Sequence, residues 1–471
     1  MLGKQKPPVE VKAFIETMKR SFGGIFAPRR DIFIVHAPAR LELMGGLTTA
    51  FGAVVLQTTL SDAVVVGVQR RLDRRVLVRS LGVEEFGLSS TVEWDLDRVL
   101  SVPEKSRPGS VRALFAKERR GEWVAAIAAI FYELVSSRVL GSFDAGVNVG
   151  IQSSIPMGAA LGSSSALICA AALGIMRLFH IDMPTAEVPA LCHRVETRLL
   201  GMDASIADHL TVCLCSSHEV LAIRCQPGEI IKRVSIPKEV RFVGLNTMVG
   251  SSAENEHYAR AQVAACMGTK IILDHARKAK QLPQAFDGYL CNIPVTDFAS
   301  YRRLLPAKVT GKRFRATHGR LPDARLAVSP SATYRVRSCT GHLLMEHRRA
   351  EQMLALLSDT GGELDERMVR VGRLMLDSHE SSRRDCNLSS READLLVSMV
   401  KERGPVQGLY GARATGRRAG GTVAVAAAAN TEDVLQNVLA QYHDATGVQG
   451  RLHTGSAPGT LLGTVTTAQF S

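Results

Sequence analysis

The sequence predicts an α+β protein. Strand patterns dominate the first part, at Val54 to Leu60, Ala63 to Gln69 and Arg75 to Leu81. Helical patterns follow, at Glu122 to Ser137, along the apolar run Leu167 to Phe179, and at Pro184 to Leu200. Alternation then returns at Val240 to Leu245 and Thr422 to Ala426, on either side of a helix-rich stretch from Tyr258 to Glu402. Period-2 and period-3.6 apolar spacing are what separate the two kinds of segment.

In chain order, residues 1–30 read as a loose leader with one short helix, Val9 to Phe22. The polar, Pro-containing region Pro306 to Ala332 interrupts the helix-rich stretch and is expected to be an insertion or mobile loop. Thr431 to Tyr442 reads as a helix. Thr431 is placed to cap it, Glu432 and Asp433 sit in its first turn, and Gly447 follows its end.

With 471 residues, 46% of them hydrophobic, the chain is long enough for two globular domains with cores of their own. A net charge of +13 favours anionic ligands such as nucleotides. Only three basic clusters occur, Arg70 to Arg75, Arg302 to Arg315 and Arg413 to Arg418, and aromatics are 5%. That pattern lacks a basic, aromatic stacking surface and argues against a nucleic-acid partner. Nine cysteines, an odd number with no Cys-x-x-Cys, fit reduced thiols in an intracellular protein. The longest apolar run, Ala166 to Met176, is too short to span a bilayer. The expectation is a cytoplasmic chain with no membrane partner, its oligomeric state open and a monomer favoured.

The most informative segment is Pro156-Met157-Gly158-Ala159-Ala160-Leu161-Gly162-Ser163-Ser164-Ser165, between the alternation Ala145 to Ile151 and the apolar helical run. Small residues let backbone approach a ligand, and the helix behind adds the positive end of its dipole. Such a turn favours phosphate. It lacks the Gly-Lys-Ser/Thr of the P-loop and the Gly-x-Gly-x-x-Gly of dinucleotide folds.

This loop resembles the phosphate loop of the GHMP kinases. Two more blocks lie where that family would place them. Ala37-Pro38-Ala39-Arg40-Leu41-Glu42-Leu43-Met44-Gly45-Gly46 is similar to its first motif, and Gly411-Ala412-Arg413-Ala414-Thr415-Gly416-Arg417-Arg418-Ala419-Gly420-Gly421-Thr422 to its third. Met44-Gly45-Gly46, Leu221 to Pro227, Gly288 to Asn292, Asp444 to Gly447 and Gly455 to Gly459 narrow the likeness to the galactokinase branch, L-arabinokinase-like kinase modules in particular. The resemblance implies a two-domain fold with the active site in the interdomain cleft. Its implied division is a leader at 1–30, an N-terminal kinase domain at 31–212 holding the phosphate loop and catalytic aspartate, and a C-terminal kinase domain at 213–471.

It further implies an ATP-dependent kinase acting on the anomeric hydroxyl of a monosaccharide, L-arabinose first and galactose second, with ATP and Mg2+ as cofactors. Asp208 would be the base, with Glu196 twelve residues earlier as a magnesium ligand. Asp203 is the rival carboxylate, but it breaks that spacing. Ser164 would join Glu196 on the metal, with Ser163 or Ser165 as substitutes. Arg40 would support Asp208. Trp123 would lie near the adenine, and Gly46, Thr49, Tyr258, Gly416 and Arg417 near the sugar.

Several positions depart from the family pattern. Thr49 and Ala50 stand where it has a sugar-anchoring aspartate and a tyrosine, and Ala39 and Ala160 replace glycines. Arg417 and Arg418 also occupy glycine positions, which leaves open an acidic acceptor or a catalytically silent sugar- and ATP-binding sensor.

Overall fold

A computed structural model describes residues 9–21, 24–103, 108–116, 121–249, 253–278, 289–323, 325–416 and 421–469. Arg417 and Arg418 lie outside these residues. The larger sheet contains β1 (Ile32–Met44), β2 (Val54–Arg70), β3 (Arg75–Ser80), β4 (Thr91–Asp95), β5 (Val147–Ser153), β6 (Glu219–Arg224) and β7 (Glu229–Ser235). A smaller sheet starts with β8 (Val240–Asn246). β9 (Val309–Thr310) and β10 (Thr333–Tyr334) form a separate pair. β11 (Leu409–Ala414), β12 (Thr422–Ala428) and β13 (Arg451–His453) complete the smaller sheet in the order β11-β12-β8-β13. β14 (Thr466–Ala468) returns to the larger sheet, whose main path is β14-β1-β2-β5-β3-β4, with β6 and β7 branching from β2. Among the described residues, only the β3–β5 pair is parallel.

The two strands expected at 54–60 and 63–69 are halves of one strand, β2. The halves part company in their second partner: Val54 to Gln57 pair with β6, and Val64 to Arg70 with β5. The register between β1 and β2 shifts between Pro38 and Arg40 and again between Glu42 and Met44. Bulges of this kind bend a strand and re-aim its side chains. Here they bracket Arg40 and Glu42, and alternation puts both on the face opposite Ala39, Leu41 and Leu43.

The helix Ser163–Leu178 packs on β1 and β2. Its small residues allow the close approach: a Cβ on Gly174 would lie 3.1 Å from Val68 Cγ2. Ile168 and Ile175 are fully buried in the core that this helix shares with those strands, each contributing about 1.5–3 kcal/mol. The smaller sheet has its own core, where Val243, Leu245, Val423 and Val425 meet Leu396 and Leu435.

Three local expectations are corrected. The helix Val9–Ser21 is docked, not loose: Val11, Phe14 and Met18, on one helical face, are buried against Ile32, Ile34 and Val65. The region 306–332 holds a helix, Gly311–His318, anchored by buried Phe314. Its polar surface hides the apolar anchors Phe314 and Val328 from a composition-based reading. Thr431 precedes the helix Glu432–Thr446, but its hydroxyl donates back to the Ala428 carbonyl at 2.8 Å and does not cap. Gly447 closes that helix with φ 73°. No helix among the described residues is long and apolar enough to cross a membrane.

Candidate active site

The loop from Pro156 to Gly162 leaves the end of β5 and feeds the helix Ser163–Leu178. Gly158, Ala160 and Gly162 all take positive φ, 76°, 59° and 79°. Ala160 does so without being glycine, at a cost of about 1–2 kcal/mol. Three carbonyls of the loop are held by the protein. Ala159 O accepts from Thr422 Oγ1 (2.7 Å), Ala160 O from Arg40 Nη1 (2.7 Å), and Leu161 O from the Arg40 amide (3.0 Å). Ser163, Ser164 and Ser165 form the first helical turn, whose amides have no intrahelical acceptor. The arrangement suits a phosphate.

Arg40 and Asp208 meet beneath this loop. Arg40 Nε donates to Asp208 Oδ1 at 2.8 Å, with the residues 5% and 3% exposed. Asp208 lies in the first turn of the helix Ile206–Leu214, which Ser205 caps by accepting from the Ala207 amide. That end of the dipole favours a carboxylate. Gln57 Nε2 also donates to Asp208 Oδ1, at 3.0 Å, and Gln57 is itself held by Thr211 Oγ1. Asp203 is exposed.

Glu196 sits on a π-helical turn, Val195–Leu199, that breaks the expected continuous helix from Pro184 to Leu200. Such turns often mark functional positions. Its Oε2 accepts from Ser165 Oγ at 3.1 Å and lies 2.9 Å from His209 Nε2, a close charge contact without hydrogen-bond alignment. Burial pushes the Glu196 carboxyl up, but His209 and Ser164 outweigh it and the net direction is down. Burial likewise opposes the His209 cation, and Glu196 overcomes it to raise the imidazole. One carboxylate beside serine hydroxyls is a hard-oxygen set that fits Mg2+, whose other ligands are ordinarily waters and phosphates.

A second buried polar chain runs away from Asp208. Glu42 Oε1 accepts from the Gly46 amide at 2.6 Å and lies 3.8 Å from Arg413 Nη1. Arg413 Nη2 is 3.5 Å from Glu346 Oε1, and Glu346 Oε2 accepts from Arg349 at 3.0 Å. Burial pushes Glu346 up, yet Arg413, His342 and Arg349 bring it below its ordinary value. Nε and Nη1 of Arg413 have no hydrogen-bond partner among the described residues. Gly46 and Gly416 converge here: a Cβ on Gly46 would lie 3.6 Å from the Gly416 carbonyl. A Cβ on Gly416 would in turn meet Ala160 Cβ at 2.8 Å, so the third motif abuts the phosphate loop. Thr49 is buried on the turn Gly46–Phe51, and Tyr258 packs in the same cluster as Leu47 and Phe51 of that turn.

Trp123 lines a cavity of about 450 Å³ together with Met157, Ser163, Ser164 and Leu167. Its Nε1 donates to the Ser89 carbonyl at 3.1 Å. The cavity therefore opens from an indole directly onto the first turn behind the phosphate loop.

The fold thus brings Arg40, Asp208, the loop, Gly46 and Gly416 together, and sets Trp123 at the other end of the loop. Sequence reasoning did not single out Glu42, Gln57, His209, Glu346 or Arg413. Glu42 had a usable signal, since it is two residues from Arg40 on a strand. Gln57 is its cross-strand partner, visible only once the register is known.

Residues 124–216 match the GHMP kinases N terminal domain. The chain is 27% identical to L-arabinokinase of Arabidopsis thaliana, over 94% of this chain but 47% of that protein, so it spans about half that relative's length. It is 25% identical to a galactokinase of Chloroflexus aggregans, over 93% of this chain and 94% of that one. Its fold matches the galactokinase of Lactococcus lactis with a TM-score of 0.71 at 18% identity, covering 96% of this chain and 100% of that one. The mevalonate kinase of Methanococcus jannaschii matches with a TM-score of 0.55 at 14% identity, covering 91% and 99%. Residues 124–216 therefore match a GHMP kinase N-terminal domain, the fold matches that of a galactokinase and of a mevalonate kinase, and the sequence is similar to L-arabinokinase and to galactokinases.

Proposed function

We propose that the chain is an ATP-dependent sugar kinase that moves the γ-phosphoryl group of ATP to the anomeric hydroxyl of a monosaccharide, with L-arabinose tried before galactose. The observation that carries this reading is the buried Arg40–Asp208 pair, whose arginine also holds the Ala160 carbonyl of the phosphate loop. A base for the acceptor is thereby fixed to the loop that suits the donor's phosphates. The likeness to galactokinases and to L-arabinokinase supports a sugar as acceptor.

In this reading the adenine lies in the Trp123 cavity and the phosphates on the amides of Ser163 to Ser165. Asp208 orients the acceptor hydroxyl and takes its proton, while Arg40 holds Asp208 in place and offsets charge as the phosphoryl group moves. Glu196 with Ser164 would hold Mg2+, which neutralises phosphate charge when bound. Thr49 does not supply the carboxylate that the family pattern has for the sugar.

The test is ADP release with MgATP against a panel of neutral aldoses and uronic acids, with Asp208→Asn as control. Turnover on a neutral aldose that the control abolishes is the expected result. Turnover on uronic acids alone overturns the neutral acceptor. Nucleotide binding with no ADP release on any sugar overturns the kinase.

A further inference from the structure

The basic cluster that begins at Arg302 is not used by the site above. It borders a second cavity of about 660 Å³, which shares no lining residue with the Trp123 cavity. Six cationic side chains line it: Arg302, Lys308, Arg335, Arg337, Arg349 and Arg384. Two are offset locally, Arg384 by Asp385 at 3.1 Å and Arg349 by Glu346 at 3.0 Å. Arg337 Nε donates to the Leu305 carbonyl, which orients the guanidinium without neutralising it. Arg302, Lys308 and Arg335 make no ion pair with a described residue.

The excess is therefore four positive charges around one concavity. Cations held together without counter-charge repel one another, and an anion that bridges them removes that penalty. A flat basic surface would serve a polymer, but this one is concave and of small-molecule size. Part of its lining is apolar, with Phe298, Ala299, Gly341 and Met345, so it offers a hydrocarbon or ring face beside the charges. Arginine forks suit phosphate oxygens, which they bind two at a time.

We propose that this cavity binds a small, multiply charged phosphate compound, at a site separate from the Trp123 cavity. A sugar bisphosphate, inorganic pyrophosphate and a nucleotide share the required chemistry, and titrating each in turn distinguishes the source.

The experiment is calorimetric titration of the full chain with a hexose bisphosphate, pyrophosphate and ADP, compared with the double variant Arg302→Ala/Arg335→Ala. At least one probe is expected to show an equivalent that the variant weakens about tenfold or more, the scale of losing one charge-assisted contact. ADP binding at the Trp123 cavity is expected to stay within about twofold, since the altered side chains do not line it. If the double variant loses its cooperative melt, Arg302→Gln/Lys308→Gln replaces it with the same readout. Identical titrations of parent and variant for all three probes, or a parent that binds only at the Trp123 cavity, overturn the proposal.

Discussion

Arg40 reaches Asp208 and the Ala160 carbonyl with one guanidinium, at 2.8 and 2.7 Å, although the three residues are spread over 168 positions of the chain. The arginine is thus shared between a candidate base and the loop that would carry the donor's phosphates. Disturbing either partner shifts the other.

Replacing the base is the plainest test. Asp208→Asn keeps size and hydrogen bonding but removes the proton acceptor, so turnover is expected to fall by about two to four decades while nucleotide binding persists. Asp203→Asn, at an exposed position, should change turnover less than about threefold. Steady-state kinetics of the two variants side by side decide the matter, and the reverse ranking would show that Asp203 is the base.

Glu196→Gln removes the carboxylate placed beside the serine turn. Nucleotide affinity and turnover should weaken together and require more magnesium, because a hard ligand has been lost. Superimposable magnesium titrations for variant and parent would reduce Glu196 to a structural partner of Ser165 and His209.

Gly162→Ala tests the coupling of loop and arginine. The new Cβ would sit 2.8 Å from Arg40 Cγ at φ 79°. Gly158→Ala carries similar backbone strain at φ 76°, with nothing within 4 Å of its Cβ. Both should lose about 1–2 kcal/mol of stability. Only Gly162→Ala should also lose turnover, on the order of tenfold to a hundredfold, by displacing Arg40. Equal kinetic losses in the two variants would mean that Arg40 tolerates the shift.

His342 makes stability depend on pH. Burial pushes its imidazole down from 6.5 to about 4, with Arg349 and Arg413 adding to burial and Glu346 opposing it. Unfolded, the group takes up a proton near its ordinary value; folded, it stays neutral until about pH 4. Stability is therefore lost as pH falls from about 6.5 to 4, by about 3 kcal/mol in total from this group. Denaturant midpoints across that range should show the slope in the parent and a flatter one in His342→Gln. Parallel slopes would assign the acid sensitivity to other groups.

Much of the candidate site's geometry was legible because a Gly/Ser turn of the kind that suits phosphate leaves a local signature. Gly158, Gly162 and the three serines are neighbours in sequence, and Asp208 stands at a fixed distance from Glu196. What stayed hidden depends on long-range pairing. Gln57 faces Glu42 only through the β1–β2 register, and Glu346 reaches Arg413 only after helix Val336–Ser358 packs against the strands. The π turn at Glu196 has no composition of its own. The buried face of the first helix was written plainly in Val11, Phe14 and Met18, but its polar surroundings concealed it.

Two threonine hydroxyls fasten the smaller sheet to this site. Thr422 holds the Ala159 carbonyl, and Thr415 holds the Glu42 carbonyl at 2.7 Å. One clasp grips the Gly/Ser loop and the other strand β1 beside Arg40, and both belong to one end of the β11–β12 pair. A swing of that sheet would pull on both grips at once. Thr415→Val or Thr422→Val would free one grip and leave the other, so the sheet would no longer carry the loop and the strand together.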